Sequence, residues 1–78
     1  MSPEIELLVW LRAAAATGEL RRVRVANRLS LEDTAATGPV HPMTVSRWER
    51  GERRPVRSEA ALRYAQTMRE LQRSLEAA

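Results

Sequence analysis

The stretch LEDTAATGPVHPMTVSRWERG, residues 31–51, contains two short helical patterns on either side of a turn. Ser30 is a typical N-cap for the first helix, which we expect to end near Thr37. The turn contains two prolines, and a residue that precedes a proline avoids helical geometry. Pro42 is expected to begin the second helix at its first position, and Gly51 is expected to end it. The pattern predicts two helices joined by a tight turn.

The second of these helices has one apolar face and one polar face. Val45 and Trp48 are three residues apart and therefore share the buried face. Ala35 is small enough for the two helices to cross closely, and Val40 is expected to point into the core. The side chains left facing outward are Pro42, Met43, Ser46, Arg47 and Arg50. A helix anchored on one face and open on the other fits the major groove of DNA, which is about 12 Å wide.

Three further helices are predicted around this pair. One begins with the cap Ser2 and Pro3 and runs to residue 16, and its broad apolar surface is expected to be mostly buried. Gly18 either breaks this helix or kinks it into the next one, over residues 19–27. Ser58 caps a last helix that runs to about residue 76. The sequence thus predicts an all-α fold of five helices in one domain over residues 1–78. Its parts are an N-terminal helix at 1–18, a core at 19–57 and a long C-terminal helix at 58–78.

Positive charge is concentrated in the middle of the chain. Residues 19–57 contain nine arginines and five acids, whereas the two flanks together contain four arginines and five acids. A basic centre suits a nucleic-acid surface, although charge alone does not distinguish it from a solvated basic face.

The composition also predicts what the protein does not do. The chain has no cysteine and only one histidine, so we expect no disulfide, metal or cofactor. No apolar run approaches the roughly 20 residues needed to cross a bilayer. No nucleophile–base pair or phosphate loop is present, so we expect neither an enzyme nor a small-molecule ligand, and we expect a cytoplasmic protein.

These motifs resemble those of the Cro/phage-repressor helix-turn-helix family, also called the XRE family. The similarity extends from residue 19 into the final helix, and its most specific part is the run VSRWERG at residues 45–51. The resemblance implies a lambda-repressor-like helix-turn-helix fold and sequence-specific binding to double-stranded DNA. It also implies a bacterial or phage-encoded protein associated with the nucleoid.

The resemblance implies a role for individual residues. Base-reading side chains would be Pro42, Met43, Ser46 and Arg47, of which Arg47 is suited to bidentate binding of guanine. Phosphate contacts would come from Ser30, His41, Thr44, Arg50, Arg53, Arg54 and Arg57. For His41, the alternative of a simple turn residue without a DNA contact is equally well supported. Arg24 and Glu49 would form a buried ion pair.

The turn departs from the family pattern. The family usually has glycine at the position of Pro39 and a large apolar residue at that of Gly38. Proline cannot adopt the positive φ of such a glycine, so we expect Gly38 to adopt it one residue earlier.

Tyr64, Met68, Leu71 and Leu75 follow a 4-3-4 spacing that is typical of a helix pair. The stripe is either internal core or a dimer contact, and we favour a homodimer through Met68, Leu71 and Leu75. The predicted function is a Cro-like or phage-type repressor that reads a palindromic operator. The alternative is the antitoxin of a toxin–antitoxin pair, which binds a protein partner and regulates its own operon.

Overall fold

The computed structural model describes all 78 residues and contains five α-helices and no strand. In chain order they are α1 (Pro3–Thr17), α2 (Glu19–Ala26), α3 (Leu31–Ala35), α4 (Pro42–Glu49) and α5 (Glu59–Ala77). The predicted all-α architecture of five helices is confirmed. None of the five is both long and apolar enough to cross a membrane.

The ends of α1 and α5 lie where the capping residues indicate. The Ser2 hydroxyl accepts a hydrogen bond from the Ile5 amide, and the Ser58 hydroxyl accepts one from the Ala61 amide at 3.0 Å. Gly18 has a φ of 81°, the left-handed conformation that ends a helix. It therefore separates α1 from α2, and the alternative of a kinked continuation is wrong.

The helix α3 is shorter than predicted, because it ends at Ala35 and not near Thr37. The Ala35 carbonyl accepts hydrogen bonds from the amides of Gly38, at 3.2 Å, and Val40, at 2.7 Å. The chain thus folds back over the end of the helix and enters the turn two residues early.

The expectation that Gly38 adopts a positive φ is wrong, since Gly18 and Gly51 are the glycines that do so. The Gly38–Pro39 peptide bond is cis. Glycine is required at this position for space: a Cβ would lie 2.6 Å from the Val40 Cγ2 and 2.7 Å from the Ala60 carbonyl oxygen. The turn therefore packs its backbone directly against the start of α5.

The core lies where α1, α2, α4 and α5 meet. Trp48 packs on Tyr64 with a distance of 5.5 Å between ring centroids, so its predicted place in the core is confirmed. Met68 is also fully buried within its own chain, and the expectation that it contacts a second chain is wrong because no part of it is exposed. Leu71 and Leu75 are half-buried against the core. The largest fully buried side chains are Leu11, Leu20, Val23, Val45, Tyr64 and Met68.

A polar network closes the corner between α1, α2 and α5. The Trp10 Nε1 donates to the Gln72 Oε1 at 3.2 Å, and the Gln72 Nε2 donates to the Glu19 Oε2 at 2.7 Å. Arg22 binds both carboxylate oxygens of Glu19. The hydrogen bond from Arg22, and then that from Gln72, lower the pKa of Glu19 to about 2.

Candidate nucleic-acid interface

The helix α4 is anchored to the core by one face and open on the other. Val45 and Trp48 are buried, whereas Met43 and Arg47 on the opposite face are exposed. Arg47 forms no ion pair or side-chain hydrogen bond within the chain, so its guanidinium is available to a ligand. The predicted base-reading residues Pro42 and Ser46 are half-buried beside this face.

His41 is the N-cap of α4. Its Nδ1 accepts a hydrogen bond from the Met43 amide at 3.1 Å. Because Nδ1 acts as an acceptor, the neutral ring carries its hydrogen on Nε2, and this side chain is exposed. The histidine thus orders the first turn of α4 and leaves its Nε2 donor exposed.

An ion pair fixes the other end of α4. The Arg24 Nε and Nη2 donate to the Glu49 Oε2 and Oε1 at 2.7 and 2.9 Å, so the expected pair is present and bidentate. The side chains are 15% and 4% exposed, and the hydrogen bond to Glu49 raises the pKa of Arg24. The Arg24 Nη1 also donates to the Leu29 carbonyl at 3.0 Å. One guanidinium thus ties together α2, α4 and the loop before α3.

The start of α3 is closed by a capping box. The Ser30 hydroxyl accepts from the Asp33 amide at 3.0 Å, and the Asp33 carboxylate accepts from the Ser30 amide at 2.9 Å. The hydrogen bond from the Ser30 amide lowers the pKa of Asp33. The hydrogen of the Ser30 hydroxyl remains available for a further acceptor.

The arginines after α4 fall into two groups. Arg53 and Arg54 are exposed and have no partner within the chain. Arg50 binds Glu52 at 2.9 Å in an exposed pair, and Arg57 binds Glu4 of α1.

Arg57 lies in a groove between α1 and α5 that includes no residue of α3 or α4. The structure therefore directs Arg57 toward α1, away from α3 and α4. The buried Pro55, whose carbonyl accepts from the Arg12 Nε at 2.9 Å, holds the loop in place.

Two surface features were missed in the sequence. Arg28, in the loop before α3, adopts a positive φ of 58°, a conformation that its residue type does not indicate. Ile5 and Val9 on α1 are exposed, although most of α1 was expected to be buried. The apolar composition of α1, which continues around the whole helix, was the available signal for the second feature.

Comparison with known proteins agrees with this geometry. A family model for helix-turn-helix proteins, of the Cro and phage-repressor type, matches residues 20–72. No curated protein and no solved structure matches the chain. The match begins at α2 and reaches well into α5, so it includes the whole of the α3–turn–α4 unit. The chain belongs to the XRE family of helix-turn-helix proteins and is a sequence-specific DNA-binding regulator of transcription.

Proposed function

We propose that the protein is a repressor that places α4 in the major groove of its operator. This proposal rests on one observation. One face of α4 is packed against the core, and Arg47 on the opposite face is exposed and forms no ion pair. A guanidinium in this position suits the O6 and N7 acceptors of guanine. Met43 would contact a thymine methyl group, and Ser46 would donate to or accept from a base edge. Pro42 would lie at the entrance to the groove.

Phosphate contacts would flank α4 on both sides. Arg53 and Arg54 are the strongest candidates after the helix because no acid in the chain neutralises them. Arg50 would exchange Glu52 for a phosphate, which costs little because that pair is exposed. Before and within α4, the donors would be Ser30, His41 and Thr44. Arg57 would reach DNA only by leaving Glu4, so we rank it last.

The first experiment compares Arg47→Ala with Arg54→Ala. Loss of a bidentate base contact should cost about 1–3 kcal/mol on the preferred site and little on other sequences. Loss of a phosphate contact should weaken all sequences alike and lower the slope of log affinity against log salt by about 0.9. Selection from a random duplex library identifies the preferred site, and salt titrations measure the slopes. A wild type without sequence preference would contradict the proposal, and an unchanged preference in Arg47→Ala would contradict the docking of α4.

We further propose that two copies bind a palindrome as a dimer. One helix-turn-helix covers only a few base pairs, and two of them about 34 Å apart read twice that number from one side of the DNA. Ile5 and Val9 are 37% and 55% exposed on α1, and Ala13 and Ala16 continue the same exposed stripe. These four side chains are uncharged, and Arg12, which lies beside them on the same face, is held by the Pro55 carbonyl; an exposed apolar stripe of this kind supports burial against another protein surface.

The order of residues along the stripe would allow a second copy to pack against it. Its large residues are in the first half of α1 and its alanines are in the second half. When two α1 helices pack antiparallel, Ile5 lies opposite Ala16 of the other copy and Val9 lies opposite Ala13. The area is small compared with the roughly 800 Å² that each partner buries in a stable complex. We therefore expect a weak dimer in solution that becomes complete on DNA.

Val9→Glu tests this interface, with Val25→Glu on α2 as the control, because Val25 is 49% exposed and apolar but lies outside the stripe. Val9→Glu should remove cooperative binding to a palindrome and leave half-site binding intact. Val25→Glu should leave both the cooperative binding and the half-site binding unchanged. Sedimentation with and without DNA measures the assembly. A wild type that is monomeric both free and on its operator would refute the dimer.

A further inference from the structure

The helix α4 ends in a Schellman motif. The Gly51 amide donates to the Trp48 carbonyl at 3.1 Å, and the Glu52 amide donates to the Arg47 carbonyl at 2.9 Å. This pair of hydrogen bonds requires the residue after the cap to adopt the left-handed conformation, and Gly51 does so with a φ of 72°. Glycine is the usual residue there because it has no Cβ to clash with the backbone.

The helix α2 ends in the same motif but with arginine in place of glycine. The Arg28 amide donates to the Val25 carbonyl at 3.0 Å, and the Leu29 amide donates to the Arg24 carbonyl at 3.1 Å. Arg28 therefore occupies the position equivalent to Gly51, and its φ is 58°. An L-residue with a long side chain is strained in this conformation. The same chain thus uses the unstrained residue at one helix end and a strained one at the other.

Nothing within the protein accounts for the arginine. Its side chain is exposed and forms neither an ion pair nor a hydrogen bond. The other charged side chain at this turn, that of Arg24, is fully used by Glu49 and the Leu29 carbonyl. Residues in strained backbone conformations cluster at functional sites, and at Arg28 the group available for such a function is the guanidinium.

The position of Arg28 favours a phosphate as its ligand. It lies two residues before Ser30, whose hydroxyl is a proposed phosphate donor. The nearby carboxylate of Asp33 is already bound by the Ser30 amide. Arg24 fixes this turn to Glu49 at the end of α4, so the turn cannot move independently of the helix that enters the groove. We propose that Arg28 contacts a phosphate of the operator backbone and that its backbone strain is retained for this contact.

This inference rests on the proposed DNA binding. Its test measures two quantities, because removal of the Arg28 side chain should raise the stability of the protein and lower its affinity for DNA. Arg28→Gly should raise Tm by about 4 °C, because it relieves the left-handed strain. The same variant should bind DNA about tenfold more weakly at low salt and should lower the salt slope by about 0.9. Arg28→Lys should keep both the Tm and the slope of the wild type. Arg21→Ala, on the outer face of α2, is the control for a general loss of positive charge.

The outcomes separate the two proposals. If Arg28→Gly is more stable and binds as the wild type does, the phosphate contact is wrong while the function of α4 stands. If Arg28→Gly and Arg21→Ala weaken binding equally, the overall positive charge of the protein explains the effect, and the specific contact of Arg28 is again wrong. A wild type that binds no duplex would overturn both proposals.

Discussion

The ion pair between Arg24 and Glu49 should be the most costly polar interaction to break. The Glu49 side chain is only 4% exposed and both of its oxygens are bound by Arg24. Glu49→Gln would leave a guanidinium that is 15% exposed without its counter-ion. Removing one partner of a buried pair costs about 3–5 kcal/mol, which is a large part of the 5–15 kcal/mol that typically stabilises a domain. For a chain of this length, a loss of that size should lower Tm by at least about 12 °C.

A double-mutant cycle measures this interaction. The variants are Glu49→Gln, Arg24→Met and the two combined, and urea denaturation gives the free energy of unfolding of each. The double variant should be much less destabilised than the sum of the single variants, because neither charge is left alone. Arg63→Gln provides the control, since Arg63 and Glu59 form an exposed pair, 59% and 79% accessible, that should contribute about 0.5 kcal/mol or less.

Two results would refute this reasoning. Losses that add in the double variant would mean that the two side chains do not interact in solution. Single-variant losses below about 1 kcal/mol would mean that water reaches the pair and screens it as it does at the surface.

Three further variants test other parts of the fold. Gly38→Ala should cost about 1–3 kcal/mol in the free energy of unfolding, because its Cβ would lie 2.7 Å from the Ala60 carbonyl oxygen, which cannot rotate away; a loss near zero would mean that the turn relaxes. Tyr64→Phe should leave stability unchanged or raise it by up to about 1 kcal/mol in thermal melts, since the hydroxyl is buried without a partner; a clear loss would reveal a hydrogen bond. The pKa of Glu19 is lowered to about 2, chiefly by Arg22, so its contribution is complete above the ordinary pKa of 4.5 and is lost as the pH falls toward 2. Glu19→Gln should therefore flatten the stability profile in that interval, and unchanged acid sensitivity would exclude this carboxylate as a cause.

Helix positions and the family could be read from the sequence because they depend on local patterns. Ser2, Ser30 and Ser58 cap helices through contacts that span three residues. Val45 and Trp48 are buried because three-residue spacing puts them on one face. Such features need no knowledge of what the helix packs against, and they were enough to locate α4 and its outward residues.

The tertiary structure decided the features that depend on distant parts of the chain. Gly38 is required by the Ala60 carbonyl, and Met68 is buried by helices that precede it by many residues. Arg57 is directed toward α1 by Glu4, 53 residues away. Spacing along one helix shows which side chains share a face, but only the packed arrangement shows whether that face meets the core, a second molecule or DNA.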